Sequence, residues 1–312
     1  MTVIMLSAMY ENGGNVTHRM LDGHPELYVY PFESQLGTDL VCDFLTSVVP
    51  VRYRWPELPL DGVPETDYEL FWDEELKTYL RLRSRSKFRD CGLDMTEEDR
   101  RREFLAYLQN RPRTRRTVVE ALFHATFITW RNLHRSGSER AFVGFSPMQV
   151  LDVDKFFADF PDGHMIHVVR RPVSAYADSK KRPFPISLER WAWMWNLCQL
   201  AAAAAEQQYP GRFHVLRFEE LAGDPESSLG LILDRMGFSW SDTCATPTFN
   251  RQALNDIRPW GVLRSAARDE HEAESNLMSR SEQERVLGLT RVMSDLMYMG
   301  TAVRHGADLP GA

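Results

Sequence analysis

The chain has 312 residues, 43% of them apolar and 11% aromatic, enough to build a sizeable core as one large α/β domain or two small ones. Its net charge of −7 argues against a general nucleic-acid binder, which needs a broad basic footprint to displace counterions, so an anionic ligand would have to be gripped locally. The most apolar run, around Leu197 to Ala205, is far short of the roughly 20 residues of a membrane span, and the apolar stretch Val3 to Met9 is too short for a signal-peptide core, so the expectation is a cytoplasmic protein without a membrane partner.

In chain order, Val3-Ile4-Met5-Leu6 reads as a short buried strand. It is bounded by the turn-prone Glu11-Asn12-Gly13-Gly14-Asn15, and Val16 to Leu21 then has helical character. Strand, Gly-rich turn and helix open a βαβ unit. Further strands are predicted at Leu27 to Phe32, Ala141 to Phe145, His164 to Val169 and Phe213 to Phe218. Helices are predicted over Gln149 to Phe160 and from about Leu188 to Gln208. This alternation implies a mostly parallel sheet covered on both faces, an α/β three-layer fold. From about 52 to 140 strand signals vanish and charges dominate, which reads as a helical insertion within a single domain spanning 1–312. The runs Arg100-Arg101-Arg102 and Arg111 to Arg116 read as solvated helix faces.

Cys42, Cys91, Cys198 and Cys244 form no C-x-x-C pair, so unpaired thiols in a reducing compartment are expected. The nine histidines show no ligand spacing, and no metal is expected. Three strings suit an anionic nucleotide. Asn12-Gly13-Gly14-Asn15 lets backbone N–H groups approach an anion at a helix start, although alone it also reads as a plain turn. Arg170-Arg171-Pro172 ends a strand, with Ser174 and Ser179 following on a helix, a suitable grip for a phosphate. Trp260-Gly261-Val262-Leu263-Arg264 offers an aromatic face and a cation.

In this order and spacing the three strings resemble the family of sulfotransferases that use 3′-phosphoadenosine 5′-phosphosulfate (PAPS). Leu21-Asp22-Gly23-His24-Pro25, Phe160-Pro161-Asp162 leading into His167 to Pro172, and Tyr209-Pro210-Gly211-Arg212-Phe213 through Asp224-Pro225-Glu226 add to the resemblance. It implies a P-loop-like fold and an in-line transfer of a sulfuryl group to a small-molecule or glycan acceptor. Residue by residue, it implies that Asn12, Gly13, Gly14, Asn15, Val16 and Thr17 cradle the 5′-phosphosulfate. Arg170 and Ser179 would hold the 3′-phosphate, with Gly261 and Arg264 closing on it and Trp260 stacking on the adenine.

The chain departs from the family pattern at the reacting end. Family loops usually carry Lys or Arg where Glu11 stands, and a Lys-Thr-Pro where Phe145-Ser146-Pro147 stands. The family serine sits eight residues after the arginine, where this chain has Asp178, with Ser179 one step later. Arg19, Lys180 and Lys181 are candidates for the missing cation. Glu33 is the first choice for the base that takes the acceptor's proton, with Glu11 and His18 behind it. Two other readings fit the same residues: a non-catalytic nucleotide-binding protein of the same fold, and a nucleotide-dependent phosphotransferase, which the absence of a Walker lysine disfavours.

Overall fold

A computed structural model describes residues 1–132, 135–182, 185–250, 252–254 and 277–299. Five parallel strands form one sheet: β1 (Thr2–Ser7), β2 (Leu27–Val29), β3 (Ala141–Phe145), β4 (His164–Val169) and β5 (Phe213–Arg217), in the order β2-β3-β1-β4-β5. The central strand β1 is buried on both faces, which is why it is written as an unbroken apolar run rather than an alternating one. Successive side chains still point to opposite faces: Val3 and Met5 join one core, Ile4 and Leu6 the other.

Helices cover both faces. The second core is closed by α1 (Gly14–Leu21), α9 (Phe218–Gly223) and α10 (Leu231–Arg235) through Met20, Leu221 and Leu233. The first is closed by α6 (Val153–Asp159), α7 (Pro172–Ser179) and α8 (Leu188–Gln208), through Phe156, Ala175 and Trp195. The last described helix, α11 (Arg280–Met299), packs on α7 and α8. Among the described residues no helix is long and apolar enough to cross a membrane.

Strands β3 and β4 and helix α8 have the bounds expected from their apolar runs. The second strand is shorter than expected and ends at Val29, two residues before Pro31. Bonding to β3 continues on both sides of the proline, Tyr30 N donating to Val143 O at 2.9 Å before it and Ser34 N to Phe145 O at 2.7 Å after it. The segment Gln149–Asp152 is a 3₁₀ turn leading into α6, so the expected helix there is divided.

Between β2 and β3 the chain is helical, with α2 (Pro64–Leu70), α3 (Glu74–Arg81), α4 (Glu97–Leu108) and α5 (Arg115–Thr129). Its charge runs are not simply solvated faces, which corrects the expectation for both. Arg100 is fully buried, donating to Asp73 Oδ2 at 2.6 Å, to the Tyr30 hydroxyl at 2.8 Å and to Thr126 Oγ1 at 3.0 Å. Arg113 grips the buried Asp67 carboxylate with two hydrogen bonds of 2.7 Å, and Arg115 and Arg116 pair with Asp159 and Asp162. A guanidinium enters a core only with its donors matched, and here helices from distant parts of the sequence match them. Arg101 and Arg102 do stay exposed.

Candidate active site

The carboxyl ends of β1, β3 and β4 lie side by side, with β1 flanked by strands that come later in the chain. In open α/β sheets this is where ligands bind. Residues 8–13 leave β1 and turn into α1. The turn is held in an unusual backbone: Glu11 has φ 60° and Gly13, at the helix start, φ 91°. A Cβ on Gly13 would lie 2.1 Å from the Phe218 ring, so glycine is required there by both space and φ. Gly14 is closed in by Phe145, whose ring would be 2.6 Å from an added Cβ. Phe145 thus uses the end of β3 for packing.

Asn12 is almost wholly buried, and its side chain is committed to the protein. Its Oδ1 accepts from Arg170 N at 3.0 Å and Trp195 Nε1 at 3.2 Å, and its Nδ2 donates to Tyr10 O at 2.9 Å. The loop is thereby locked to the end of β4 and to α8. The Thr17 hydroxyl is likewise turned to the helix, donating to Gly13 O at 3.0 Å, while Asn15 and Val16 are half-buried on α1. Asn12 and Thr17 thus turn their side chains to the protein.

Arg170 ends β4 next to this turn. Its Nη1 donates to Glu11 O at 3.1 Å and to Asp178 Oδ2 at 2.6 Å, and its guanidinium carbon lies 5.1 Å from the Phe218 ring centre. Burial would raise the Asp178 carboxyl, yet hydrogen bonds from Lys181 and Arg170 hold it below the usual carboxylate range. Ser179 is turned away: it is fully buried and its hydroxyl donates to Tyr176 O at 2.7 Å. The helix register points Asp178, one residue earlier, at Arg170. Trp260, Gly261 and Arg264 lie outside the described residues.

The candidate cations and bases separate. Arg19 is buried, donating to Tyr30 O at 2.5 Å and lying 3.8 Å from Asp22, so it braces the core and does not reach toward the turn. Lys180 pairs with Glu282 at 2.7 Å and Lys181 with Asp178 at 2.5 Å. His18 is buried against Phe145 at 5.6 Å between ring centres and hydrogen-bonds Arg19, and burial pushes its pKa well below the usual histidine value. The ring is thus neutral and enclosed by core neighbours, and its hydrogen-bonding partner is Arg19. Glu11 reaches instead to Arg182, with 3.1 Å between Oε1 and Nη1, and burial pushes its carboxyl up against the pull of Arg182.

Glu33 follows β2, in the short stretch between the Tyr30 and Ser34 pairing to β3. Its Oε2 accepts from Gln35 Nε2 at 3.3 Å, and its backbone N–H donates to Glu75 Oε2 at 3.2 Å. Glu75 in turn pairs with Lys87. Burial first, then the neighbouring Glu75 charge, push the Glu33 carboxyl up to about 7, against the pull of Lys87 and Arg52. Tyr10, from the β1 turn, packs edge-on against Tyr53 with ring centres 5.9 Å apart, and both feel the Glu33 charge. Tyr53 is buried, as are Trp55 and Phe71 deeper in the core, while Trp72 is exposed.

Sequence reasoning missed Arg182, Arg52, Glu75 and Lys87. Nothing in the local string marks them, since the last three belong to the helical segment and come to Glu33 only through the fold.

Residues 13–242 match the sequence model of the sulfotransferase family, about three-quarters of the chain. The chain belongs to the sulfotransferase family. This sulfotransferase also has the fold of two solved structures. The sulfotransferase domain of the Synechococcus PCC 7002 olefin synthase has a TM-score of 0.54 at 14% identity, covering 99% of this chain and 96% of that one. The sulfotransferase domain of the curacin biosynthetic pathway has a TM-score of 0.53 at 15% identity, covering 92% of this chain and 97% of that one. No curated protein matches the sequence.

Proposed function

We propose that this sulfotransferase moves a sulfuryl group from PAPS to a hydroxyl or amine of a small-molecule or glycan acceptor. The observation that carries the reading is the lock between the β1 turn and the end of β4, where Asn12 Oδ1 accepts from Arg170 N at 3.0 Å. It sets the first N–H groups of α1 and the Arg170 guanidinium on one sheet edge, two anion sites for the two ends of a bisphosphorylated nucleotide. The donor set fits such a co-substrate: a helix start opening on a positive-φ glycine, and an arginine whose present partner is itself an anion, the Asp178 carboxylate.

In this reading the N–H groups from Gly13 to Thr17 hold the 5′-phosphosulfate and Arg170 holds the 3′-phosphate. PAPS supplies an activated sulfuryl group on a good leaving group. Glu33 takes the acceptor's proton, which suits a carboxyl whose pKa stands near 7. Tyr10 and Tyr53 flank the acceptor, and the helical segment between β2 and β3 supplies Glu75 and Lys87 to set the charge of Glu33. Four free cysteines, one of them exposed, go with a reducing cytoplasmic setting, which is part of the same proposal.

The test is equilibrium binding. Arg170→Ala weakens adenosine 3′,5′-bisphosphate at least about tenfold, the effect expected for removing one partner of a partly buried charged pair, and barely changes adenosine 5′-monophosphate. Equal weakening of both nucleotides sinks the assignment of Arg170 to the 3′ end.

A further inference from the structure

A sulfotransferase needs positive charge where its leaving group departs, and the β1 turn of this chain carries Glu11 at the position where that charge is expected. The side chain that meets Glu11 comes from elsewhere. Arg182, three residues beyond α7, places Nη1 3.1 Å from Glu11 Oε1, and its guanidinium carbon lies 4.4 Å from the centre of the Tyr10 ring. Among the described residues that carboxylate is the one hydrogen-bonded partner of the guanidinium. The other cations near the turn are committed: Arg170 to Asp178 and Glu11 O, Lys181 to Asp178, Lys180 to Glu282.

We infer that Arg182 is the cation that neutralises the leaving 5′-phosphate, delivered from the end of α7 in place of a basic residue in the β1 turn. The inference rests on the sulfuryl-transfer reading and names a residue for one of its steps. In that step the acceptor's oxygen or nitrogen forms its bond to sulfur while the bond from sulfur to the bridging oxygen breaks. The electron pair remains on that oxygen, which stays on the 5′-phosphate, and the acceptor's proton passes to Glu33. Arg182 donates N–H hydrogen bonds to the oxygen that gains the charge.

Three features of the site support this. A guanidinium has five donors in a planar fork, so a contact with Glu11 through Nη1 leaves donors for a phosphate. The Tyr10 face under the guanidinium holds its plane without consuming a donor. Tyr10 also packs on Tyr53, and both lie within electrostatic reach of Glu33, so one aromatic pair borders both Arg182 and the base. Glu11 is then the resting counter-ion of Arg182, a carboxylate that keeps the guanidinium beside the turn until a phosphate replaces it.

The test needs no acceptor, because the leaving oxygen is present in the product nucleotide. Adenosine 3′,5′-bisphosphate, adenosine 5′-monophosphate and adenosine 3′-monophosphate are titrated by calorimetry into the parent, Arg182→Met and Arg182→Lys. Arg182→Met is expected to weaken both nucleotides that carry a 5′-phosphate by about tenfold or more, the usual size for a hydrogen bond to a charged group, and to leave adenosine 3′-monophosphate within about twofold. Arg182→Lys recovers part of the loss, which separates a charge from a packing role. Unchanged affinity of Arg182→Met for all three nucleotides overturns the role of Arg182 and leaves the donor reading intact, provided the parent prefers the bisphosphate. A parent that binds none of the three overturns the donor reading, and the inference with it. Loss of all three alike in a variant with the parent's melting temperature also overturns it, since the effect is then not at the 5′ end.

Discussion

Asp178 Oδ2 lies 2.6 Å from Arg170 Nη1, and Lys181 Nζ lies 2.5 Å from the other oxygen of the same carboxylate. A carboxylate held between two cations is an internal stand-in for a phosphate. Any 3′-phosphate that reaches Arg170 must compete with it. Asp178→Asn keeps the shape and removes the charge, so adenosine 3′,5′-bisphosphate should bind about three- to thirtyfold more tightly, while adenosine 5′-monophosphate changes little. Weaker binding of the bisphosphate to the asparagine variant would mean that Asp178 orients Arg170 and does not compete with the ligand.

Asn12 ties three parts of the site together, and its removal leaves two buried N–H groups, of Arg170 and of the Trp195 indole, without that acceptor. An unsatisfied buried donor costs about 1–3 kcal/mol. Asn12→Ala should therefore lower stability by about 2–4 kcal/mol in denaturant titrations, and weaken nucleotides at both their 3′ and 5′ ends because the turn and β4 separate. A variant as stable as the parent would show that the turn holds its shape without this side chain.

The parts of the fold that were legible from the residues are those written as contiguous apolar runs. Ala141–Phe145 and His164–Val169 carry their own bounds because a parallel strand is buried on both faces. The carboxyl-edge position of the β1 turn and of Arg170 was legible because each directly follows its strand in a parallel sheet; the order that sets those strands side by side was not. Nor was side-chain direction. Arg100 and Arg101 are neighbours in one run, yet one is enclosed by Asp73 and Tyr30 and the other is exposed, a difference made by residues some 30 to 70 positions away. Asp178 and Ser179 differ by one step of a helix, about 100° of rotation, and that step decides which of them meets Arg170. Arg182 closes on Glu11 across 171 residues, so no local pattern announces it.

The Arg100–Asp73 pair is buried on both sides. Arg100→Met leaves the Asp73 carboxylate without its buried counter-ion and should cost about 3–5 kcal/mol. Adding Asp73→Asn should regain part of that loss, since the stranded charge is gone and asparagine tolerates the left-handed backbone, φ 35°, that residue 73 adopts. Denaturant midpoints of the single and double variants measure this coupling. Additive losses would show that the pair acts as two separate packing residues.

Glu33 makes a prediction in which activity and stability move oppositely with pH. Its carboxyl is raised from an ordinary value of 4.5 to about 7, by burial and by Glu75, so between those two values the folded chain holds a proton that the unfolded chain has released. Folding is thus favoured by that proton below about pH 4.5, loses the benefit as pH rises toward about 7, and changes no further above it, the whole effect being at most about 3 kcal/mol. Glu33→Gln carries no charge to bury, so it should be more stable than the parent near pH 8, by an amount that shrinks to nothing near pH 4. Catalysis runs the other way, because a base works only when deprotonated. The parent's rate should rise about tenfold per pH unit below about 7 and level off above it, whereas the glutamine variant should be slower by roughly 10²–10⁴ and lack that limb. Melting temperatures and rates across the same buffers measure both. A glutamine variant that turns over near the parent rate removes Glu33 from the proton transfer even if its stability shifts as described, and a flat stability difference between pH 4 and 8 denies the raised carboxyl itself.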